Sequence, residues 1–325
     1  MARVLVIGGT VFMGRVLVEQ LLDLGDDVVI MHRGTGHPFG DRVGEIRCDR
    51  NDVDAVQAAL GDRHFDIVFD NVYDWQRGTS AEQVSAAAIA VADGVQRYVF
   101  TSSVSVYPDG GEYTEDAPLV PSDIPNPYAA NKADSERALF ELHRRRHLPV
   151  STLRPAFIYG PNNPFARETF FWDRIVRDRP IVIPDDGSRT MQWVHARDVA
   201  RAAVLAANTD VAVGRAYNLG NYPPVSQVEF VALLAKVAGR TARLVHVPRS
   251  RIQEAGGQLF TPPYYFGAYL DVPPITVLPD RARTELGLEL TALEDGFRET
   301  FQWYEGQQRP EPDFSWEDRL LATAT

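Results

Sequence analysis

A strand, a glycine-rich turn and a helix follow one another without interruption at the start of the chain. Residues 3–7 form an apolar run typical of a buried parallel strand. Gly8 and Gly9 then permit a tight turn, and Gly14 lets the next helix approach the strand, so that the helix N-terminus faces a pyrophosphate. This order predicts a dinucleotide site, and an ordinary βα turn is the alternative interpretation.

Strands and helices continue to alternate through the first half of the chain. Further strands are expected at 28–31, 45–48, 65–69, 98–101 and 150–153. Repeated βα units predict an α/β fold with a doubly wound, mostly parallel sheet and right-handed crossovers. Ligands of such sheets bind at the carboxyl ends of the strands.

Prolines become frequent after Pro155, and the predicted elements become shorter. We expect a dinucleotide-binding domain of residues 1–155 plus about 196–220, and a smaller, discontinuous C-terminal substrate domain that acts as a lid. The lid is expected to comprise residues 156–195 plus 221–305, followed by a tail of residues 306–325.

Composition excludes several classes of function. With 325 residues, 45% of them hydrophobic, the chain can bury a large core. A net charge of −11 opposes nucleic-acid binding, because affinity for phosphates depends on Lys and Arg.

No apolar run reaches the length of about 18 residues needed for a membrane span, so a cytoplasmic protein is expected. Cys48 is the single cysteine, which excludes an intramolecular disulfide and a cysteine metal cluster; no metal site is expected.

A tyrosine and a lysine one helical turn apart mark the candidate active site. Tyr128 and Lys132 stand near the start of a predicted helix, and only one other lysine occurs among the 33 Lys and Arg residues. At this spacing both side chains lie on one helical face. The ammonium can then lower the phenol pKa from about 10 towards neutrality, where tyrosine exchanges protons. The pair is a candidate acid and base; the alternative is an amphipathic helix that happens to carry both residues.

The cofactor contacts are predicted from the ends of the first strands. Arg33 follows the second strand and favours NADP over NAD, because Arg accepts a 2'-phosphate; a solvated loop charge is the alternative. Asp49 and Arg50 follow the third strand, in position to meet the adenine. The full predicted set is Gly8, Gly9, Thr10, Phe12, Met13, Gly14, Arg33, Asp49, Arg50, Asn71, Tyr128, Lys132 and Pro155.

Seven linked motifs, spread over almost the whole chain, resemble the extended short-chain dehydrogenase/reductase family. They are Gly8-Gly9-x-x-x-x-Gly14, Thr101-Ser102-Ser103-x-x-Val106-Tyr107, Tyr128-x-x-x-Lys132, Leu153-Arg154-Pro155-x-x-x-Tyr159-Gly160-Pro161, Ile181-x-Ile183-Pro184-x-x-Gly187, Val194-His195-x-x-Asp198-Val199 and Tyr217-Asn218-x-Gly220. This family comprises NAD(P)-dependent epimerases, dehydratases and reductases. The resemblance implies a Rossmann fold, an NAD(P) cofactor and a homodimer formed by two long helices.

The same resemblance assigns roles to three residues. It implies that Ser103 hydrogen-bonds the reacting hydroxyl or carbonyl and that Tyr128 is the acid/base. Lys132 is implied to bind the nicotinamide ribose while lowering the tyrosine pKa. For Ser103 the alternative is a strand-end residue that satisfies local backbone groups, as its neighbour Ser102 is also expected to do.

Departures from the family pattern bear on the substrate. Val11 replaces the middle glycine of the nucleotide turn and resembles an atypical branch that includes chloroplast RNA-binding relatives. Val104 and Ser105 replace the Asp-Glu pair of dehydratases, which disfavours a dehydratase. Phe157 and Met191 align with the Asn and Arg that grip a sugar-nucleotide diphosphate in many epimerases.

An apolar side chain offers a diphosphate neither charge nor a hydrogen bond, so a UDP-sugar is in doubt. Arg154, Arg167 or Arg189 would have to compensate. The candidate substrate residues are Tyr73, Val104, Phe157, Arg189 and Met191.

We therefore expect an NAD(P)-dependent, epimerase-like enzyme that moves a hydride at a secondary alcohol or carbonyl carbon of a sugar or sugar-like small molecule. The first alternative is an NADPH-dependent carbonyl reductase. The second, of another class, is a non-catalytic nucleotide-sensing or RNA-binding module. Neither a nucleic acid nor a membrane is an expected partner.

Overall fold

The computed structural model describes residues 1–322, which divide into two compact units. Unit 1 comprises residues 1–158, 194–220 and 277–290, and unit 2 comprises residues 159–193, 221–276 and those from 291 onward. Residues 277–290 thus belong to unit 1, whereas the sequence suggested the lid. Within residues 1–322, no helix combines the length and apolar character needed to cross a bilayer.

The strands are β1 Arg3–Ile7, β2 Asp27–His32, β3 Gly44–Arg47, β4 Ile67–Asp70, β5 Arg97–Thr101, β6 Glu112–Tyr113, β7 Val150–Pro155, β8 Phe157–Tyr159, β9 Pro180–Pro184, β10 Thr190–Met191, β11 Trp193–His195, β12 Arg215–Leu219, β13 Val225–Ser226, β14 Arg243–Val247 and β15 Thr276–Val277. The α-helices are α1 Phe12–Asp23, α2 Val53–Leu60, α3 Ala81–Ala90, α4 Pro127–Arg146, α5 Glu168–Ile175, α6 Ala196–Ala207, α7 Gln227–Val237, α8 Arg249–Glu254, α9 Asp280–Leu286, α10 Leu293–Glu305 and α11 Ser315–Ala322.

Unit 1 is built on a seven-stranded sheet in the order β12-β7-β5-β4-β1-β2-β3. All of its pairings are parallel, which confirms the predicted doubly wound sheet. The strand order reverses between β1 and β4, where Ile7 pairs with Asp70. Crevices at such a reversal are the usual ligand sites of this architecture.

Alternation along the strands places a core on each face of this sheet. Val4 and Val6 of β1 pack in one buried cluster with residues of α1 and α6. Leu5 and Ile7 point the other way, into a cluster with α2, α3 and α4. The sheet is therefore covered on both faces, as a parallel sheet requires.

Unit 2 has its own core of large aromatic side chains. Phe171, Trp172 and Phe230 are completely buried, and Phe230 stacks on Trp193 with ring centroids 4.5 Å apart. Its β14 pairs in parallel with β9. The expected tail contains α11, whose Glu317 forms a buried ion pair with Arg174 of α5. This part of the expected tail is thus packed through α11 rather than trailing.

Candidate active site

The nucleotide turn after β1 is packed too tightly for any side chain at two of its glycines. A Cβ on Gly14 would lie 2.0 Å from the Gly8 oxygen, and one on Gly8 would lie 2.3 Å from Val72 Cγ2. Gly8 also has a φ of 89°, in the left-handed region that favours glycine. The predicted close approach of α1 to β1 at Gly14 is therefore confirmed. Phe12 opens α1 with a φ of 49°, a conformation that non-glycine residues rarely adopt.

An unsatisfied polar atom lies beside this turn, after β4. The Asn71 amide oxygen accepts a hydrogen bond from Thr101 Oγ1 at 2.6 Å, and its backbone N–H donates to Ile7 at 3.0 Å. Asn71 Nδ2 is buried and donates to none of the residues 1–322. A free donor and a backbone cradle at the carboxyl edge are what a dinucleotide requires, so these residues fit the predicted cofactor.

Lys132 is held inside unit 1 by the sheet edge. Pro127 occupies the first turn of α4, and the Asn126 side chain caps the helix by accepting from the Ala129 N–H at 3.3 Å. One turn later, Lys132 is only 4% exposed, and its Nζ donates to the Thr101 oxygen at 2.7 Å. Burial lowers its pKa to about 8, although the nearby Asp70 carboxylate acts in the opposite direction.

Two aromatic rings pack against the tyrosine of the pair. Tyr128 makes an edge contact with Tyr73 at 4.8 Å and a stacked contact with Trp75 at 4.8 Å, both between ring centroids. Trp75 is 49% exposed, so its ring is accessible from solvent. The sequence pointed to Tyr73 but not to Trp75, although an Asp-Trp pair just past the fourth strand was a signal for it.

Ser103 lies at the end of β5, where it begins a short helical turn at Val104–Val106. Its Oγ accepts from the Ser105 N–H at 3.1 Å and is thus engaged by the local backbone, as in the alternative interpretation. The hydroxyl proton remains available for another acceptor. Ser102 differs from expectation, because its buried Oγ has no hydrogen-bond partner among the described residues.

The predicted NADP contact, Arg33, lies in a cluster of charges. Its Nη1 donates to Asp74 at 2.6 Å, and Arg77 bridges Asp74 at 2.8 Å and Asp49 at 2.7 Å. Burial alone would raise the Asp74 pKa, but hydrogen bonds from Arg77, Gln76 and Arg33 hold it well below its usual range. Asp74 therefore remains an anion that neutralises the arginines beside it.

Arg50 does not have the free position that the sequence suggested. Its guanidinium is buried, pairs with Asp70 and donates to the Gln83 oxygen at 2.5 Å. Tyr98 completes this group by donating its hydroxyl to Asp70 at 2.8 Å. In this arrangement Arg50 ties β4 to α3 rather than facing an adenine.

The remaining predicted residues of unit 1 differ in burial. Thr10 and Val104 are half-buried and Met13 is buried. Pro155 ends β7, and Phe157 is half-buried in β8.

Two arginines considered for a diphosphate are bound to buried carboxylates. In unit 1, Arg154 Nε donates to Glu136 at 3.0 Å, and its Nη1 donates to the Tyr107 hydroxyl at 2.6 Å. In unit 2, Arg189 donates to the backbone and side-chain oxygens of Asp271, at 2.6 and 3.1 Å.

Asp271 is the centre of the charge cluster in unit 2. It is 2% exposed and also accepts hydrogen bonds from Arg249, Gln227 and Tyr265. Met191, the candidate neighbour of a substrate, is buried in the pairing of β10 with β13.

Comparisons with known proteins agree with this geometry. Residues 4–220, more than half of the chain, match the NAD dependent epimerase/dehydratase family. A chloroplast stem-loop binding protein of 41 kDa from Arabidopsis thaliana is 26% identical over 251 residues, covering 73% of this chain and 63% of the relative. The trifunctional UDP-glucose 4,6-dehydratase/UDP-4-keto-6-deoxy-D-glucose 3,5-epimerase/UDP-4-keto-L-rhamnose-reductase RHM2 of the same plant is 28% identical over 270 residues, covering 80% of this chain and 37% of the relative.

Among solved structures, MoeE5 in complex with UDP-glucose and NAD aligns with a TM-score of 0.73 and 25% identity, over 94% of this chain and 99% of that one. By contrast, this chain spans less than two thirds of the length of each of the two plant relatives. The family match covers the glycine turn, Ser103, Tyr128 and Lys132. The glycine turn follows β1 and Ser103 follows β5, and Lys132 of α4 contacts the end of β5 at Thr101. The chain belongs to the NAD dependent epimerase/dehydratase family.

Proposed function

We propose that this protein is an NAD(P)-dependent, epimerase-like enzyme that moves a hydride at a secondary alcohol or carbonyl carbon of a sugar or sugar-like substrate. The observation that carries the proposal is the anchoring of Lys132 to Thr101, two residues before Ser103 and one helical turn after Tyr128. Hydride transfer to or from carbon requires a proton to move at the attached oxygen, and these side chains supply the groups for it.

Each residue has a distinct role in the proposed reaction. Tyr128 takes the proton from the substrate hydroxyl as the hydride leaves, and Ser103 donates a hydrogen bond to the same oxygen. Lys132 would hold the ribose of the dinucleotide and favours the phenolate through its positive charge. When bound, NAD(P) would supply the acceptor for the hydride, and in an epimerase the hydride would return to the other face of the carbon.

The dinucleotide is proposed to be held by Gly8, Gly9 and Gly14 at the helix N-terminus, with the free Asn71 amide beside them. The NAD in the MoeE5 structure supports this class of cofactor. The preference for NADP rests on Arg33, whose side chain is 58% exposed. Asp74 acts against this preference, because a 2'-phosphate must compete with its carboxylate.

The substrate is proposed to be sugar-like and to be bound without strong ion pairs between arginines and a diphosphate. Arg154 and Arg189 are already neutralised by Glu136 and Asp271, and Met191 is apolar and buried. The RHM2 and MoeE5 relatives carry UDP-sugars in their names, so UDP-glucose is the first compound to test. The stem-loop binding named for the other relative is opposed by the net charge of −11.

The protein is further proposed to form a homodimer through α3 and α4. Ile89 of α3 is 40% exposed, which leaves apolar surface on that helix for a second copy. Light scattering of a micromolar solution gives the mass directly, and a monomer contradicts the proposal.

The decisive experiment compares the wild-type protein with Tyr128→Phe. The bound dinucleotide is first identified by mass spectrometry of the purified protein, and turnover is then followed with UDP-glucose and a panel of free and phosphorylated sugars. Loss of a general acid/base costs about 10²–10⁴-fold in rate. Tyr128→Phe is expected to show this loss while binding the dinucleotide as before, and unchanged turnover would refute the role of Tyr128.

A further inference from the structure

Two histidines and a glutamate meet beside the nucleotide-binding edge of unit 1. One ligand atom from each of His32, His37 and Glu45 lies within 4.8 Å of the other two. His32 Nε2 is 3.0 Å from Glu45 Oε1. None of the three has a role in the proposed hydride transfer.

The pairing of β2 with β3 explains why His32 and Glu45 lie close together. β2 and β3 run in parallel with His32 opposite Arg47 and Ile30 opposite Glu45. Side chains two residues apart in a strand share a face, so His32 and Glu45 project to the same side of the sheet. The convergence is therefore a property of the strand register.

The loop after β2 brings the third ligand. Phe39 is 3% exposed and belongs to the core cluster that contains α1. His37 stacks on Phe39 with ring centroids 5.9 Å apart and meets His32 edge-on at 5.7 Å. The buried phenylalanine thus anchors the loop and keeps the His37 imidazole over the other two groups.

His32 has a ring nitrogen that the described residues leave unsatisfied. It is 7% exposed, and its Nδ1 has no hydrogen-bond partner among the residues that the structure describes. Buried polar groups are normally satisfied, so a histidine of this kind, directed at a second histidine and a carboxylate, requires a ligand to complete it.

We propose that His32, His37 and Glu45 bind a divalent transition-metal ion of the Zn²⁺ class. Two imidazoles and one carboxylate are a common three-ligand set for zinc, with water in the fourth position. Ligands of a tetrahedral zinc lie about 3.4 Å apart when bonds to the metal are about 2.0–2.1 Å. The observed 3.0 Å between His32 and Glu45, and the 4.8 Å limit for the group, bracket that distance. A small inward movement of the His37 loop completes the site.

One positive charge competes for the carboxylate. Arg47 Nε donates to Glu45 Oε1 at 2.7 Å, and its side chain is 61% exposed. The metal takes the place of this arginine, which then turns to solvent. Bound metal fixes the loop that begins at Arg33, next to the proposed cofactor contact.

The test is a metal titration of the full, untagged chain after chelator treatment and dialysis. Co²⁺ serves as a spectroscopic probe, because tetrahedral coordination gives intense visible absorption, and Zn²⁺ binding is measured by calorimetry. The wild-type protein is expected to bind one Zn²⁺ per chain with a dissociation constant below about 10 μM. His37→Gln and Glu45→Gln are each expected to weaken binding at least about tenfold.

His64→Gln is the matched control, because His64 also faces a carboxylate, Asp66 at 3.6 Å, but has no place in the three-ligand group. It is expected to bind metal like the wild type. Weak cobalt absorption, binding unaffected by His37→Gln and Glu45→Gln, or an equal loss in His64→Gln overturns the proposal. Circular dichroism of each variant confirms that the fold is retained. The result is independent of the proposed enzymatic reaction.

Discussion

The Lys132 ammonium donates to the Thr101 oxygen at 2.7 Å in a place where it is only 4% exposed. This contact joins the start of α4 to the carboxyl end of β5. It fixes the only buried lysine of the two in the sequence beside the predicted catalytic serine. Burial disfavours the charge of this ammonium, so the charged lysine lowers the stability of the fold.

Lys132 makes a contribution to stability that changes with pH. Burial lowers its pKa from 10.5 to about 8, so between these values the unfolded chain binds a proton that the folded chain has released. The cost of burying the charge is complete below pH 8 and disappears as the pH rises to about 10.5, a change of about 3 kcal/mol.

Urea unfolding of wild-type protein and Lys132→Met across this interval measures the effect. The free energy of unfolding of the wild type is expected to rise relative to that of the variant. Lys236→Met removes the other lysine, which is 65% exposed, and is expected to show no such trend. If the difference in unfolding free energy between the wild type and Lys132→Met does not change with pH, the lowered pKa is contradicted.

Gly14 is predicted to be irreplaceable in the nucleotide turn. The Cβ of an alanine there meets the Gly8 oxygen at 2.0 Å, and that oxygen belongs to the backbone and cannot rotate away as a side chain would. Gly14→Ala is expected to lower stability by about 1–3 kcal/mol and to abolish dinucleotide binding, measured by thermal unfolding with and without NAD(H). Gly36→Ala is the control, because nothing lies within 4 Å of its Cβ. Equal binding by both variants contradicts the prediction.

Asp74 is predicted to limit the affinity for NADPH. Asp74→Asn removes the carboxylate that neutralises Arg33, so the ratio of NADPH to NADH affinity is expected to rise about tenfold, or about 1.4 kcal/mol. Arg33→Ala is expected to lower the same ratio. Asp41→Asn makes an equal change of charge in the exposed loop after β2 and is expected to leave the ratio unchanged. Fluorescence titrations with the two reduced dinucleotides supply the measurement.

The buried pair of Glu136 and Arg154 is predicted to be essential to unit 1. Their side chains are 0% and 4% exposed, so Glu136→Gln leaves a buried guanidinium without its counter-charge. Loss of one partner of such a pair costs about 3–5 kcal/mol. Asp134→Asn, on the same helix, breaks an exposed pair with Arg137 and is expected to cost about 0.2–1 kcal/mol. Chemical denaturation compares the two, and similar losses contradict the prediction.

Much of the fold was predictable, because it depends on local patterns. Apolar runs followed by glycine turns and helical periodicity specify the parallel sheet, and the spacing of Tyr128 and Lys132 identifies one face of α4. The partners of the arginines were not predictable, since they depend on long-range contacts. Arg50 meets Asp70, 20 residues away, and Arg189 meets Asp271, 82 residues away. The meeting of His32 with Glu45 likewise follows from strand register, which the sequence leaves open.

The pairing of β12 with β7 has a consequence for synthesis of the protein. β7 ends at Pro155 and β12 begins at Arg215, and β12 is the outermost strand on that side of the sheet. While the ribosome makes the intervening residues, a nascent chain that has already assembled β5 and β7 presents an open, apolar edge. Exposed edges of this kind recruit strands of other chains. Protection of this edge therefore waits until β12 has been made and has paired with β7.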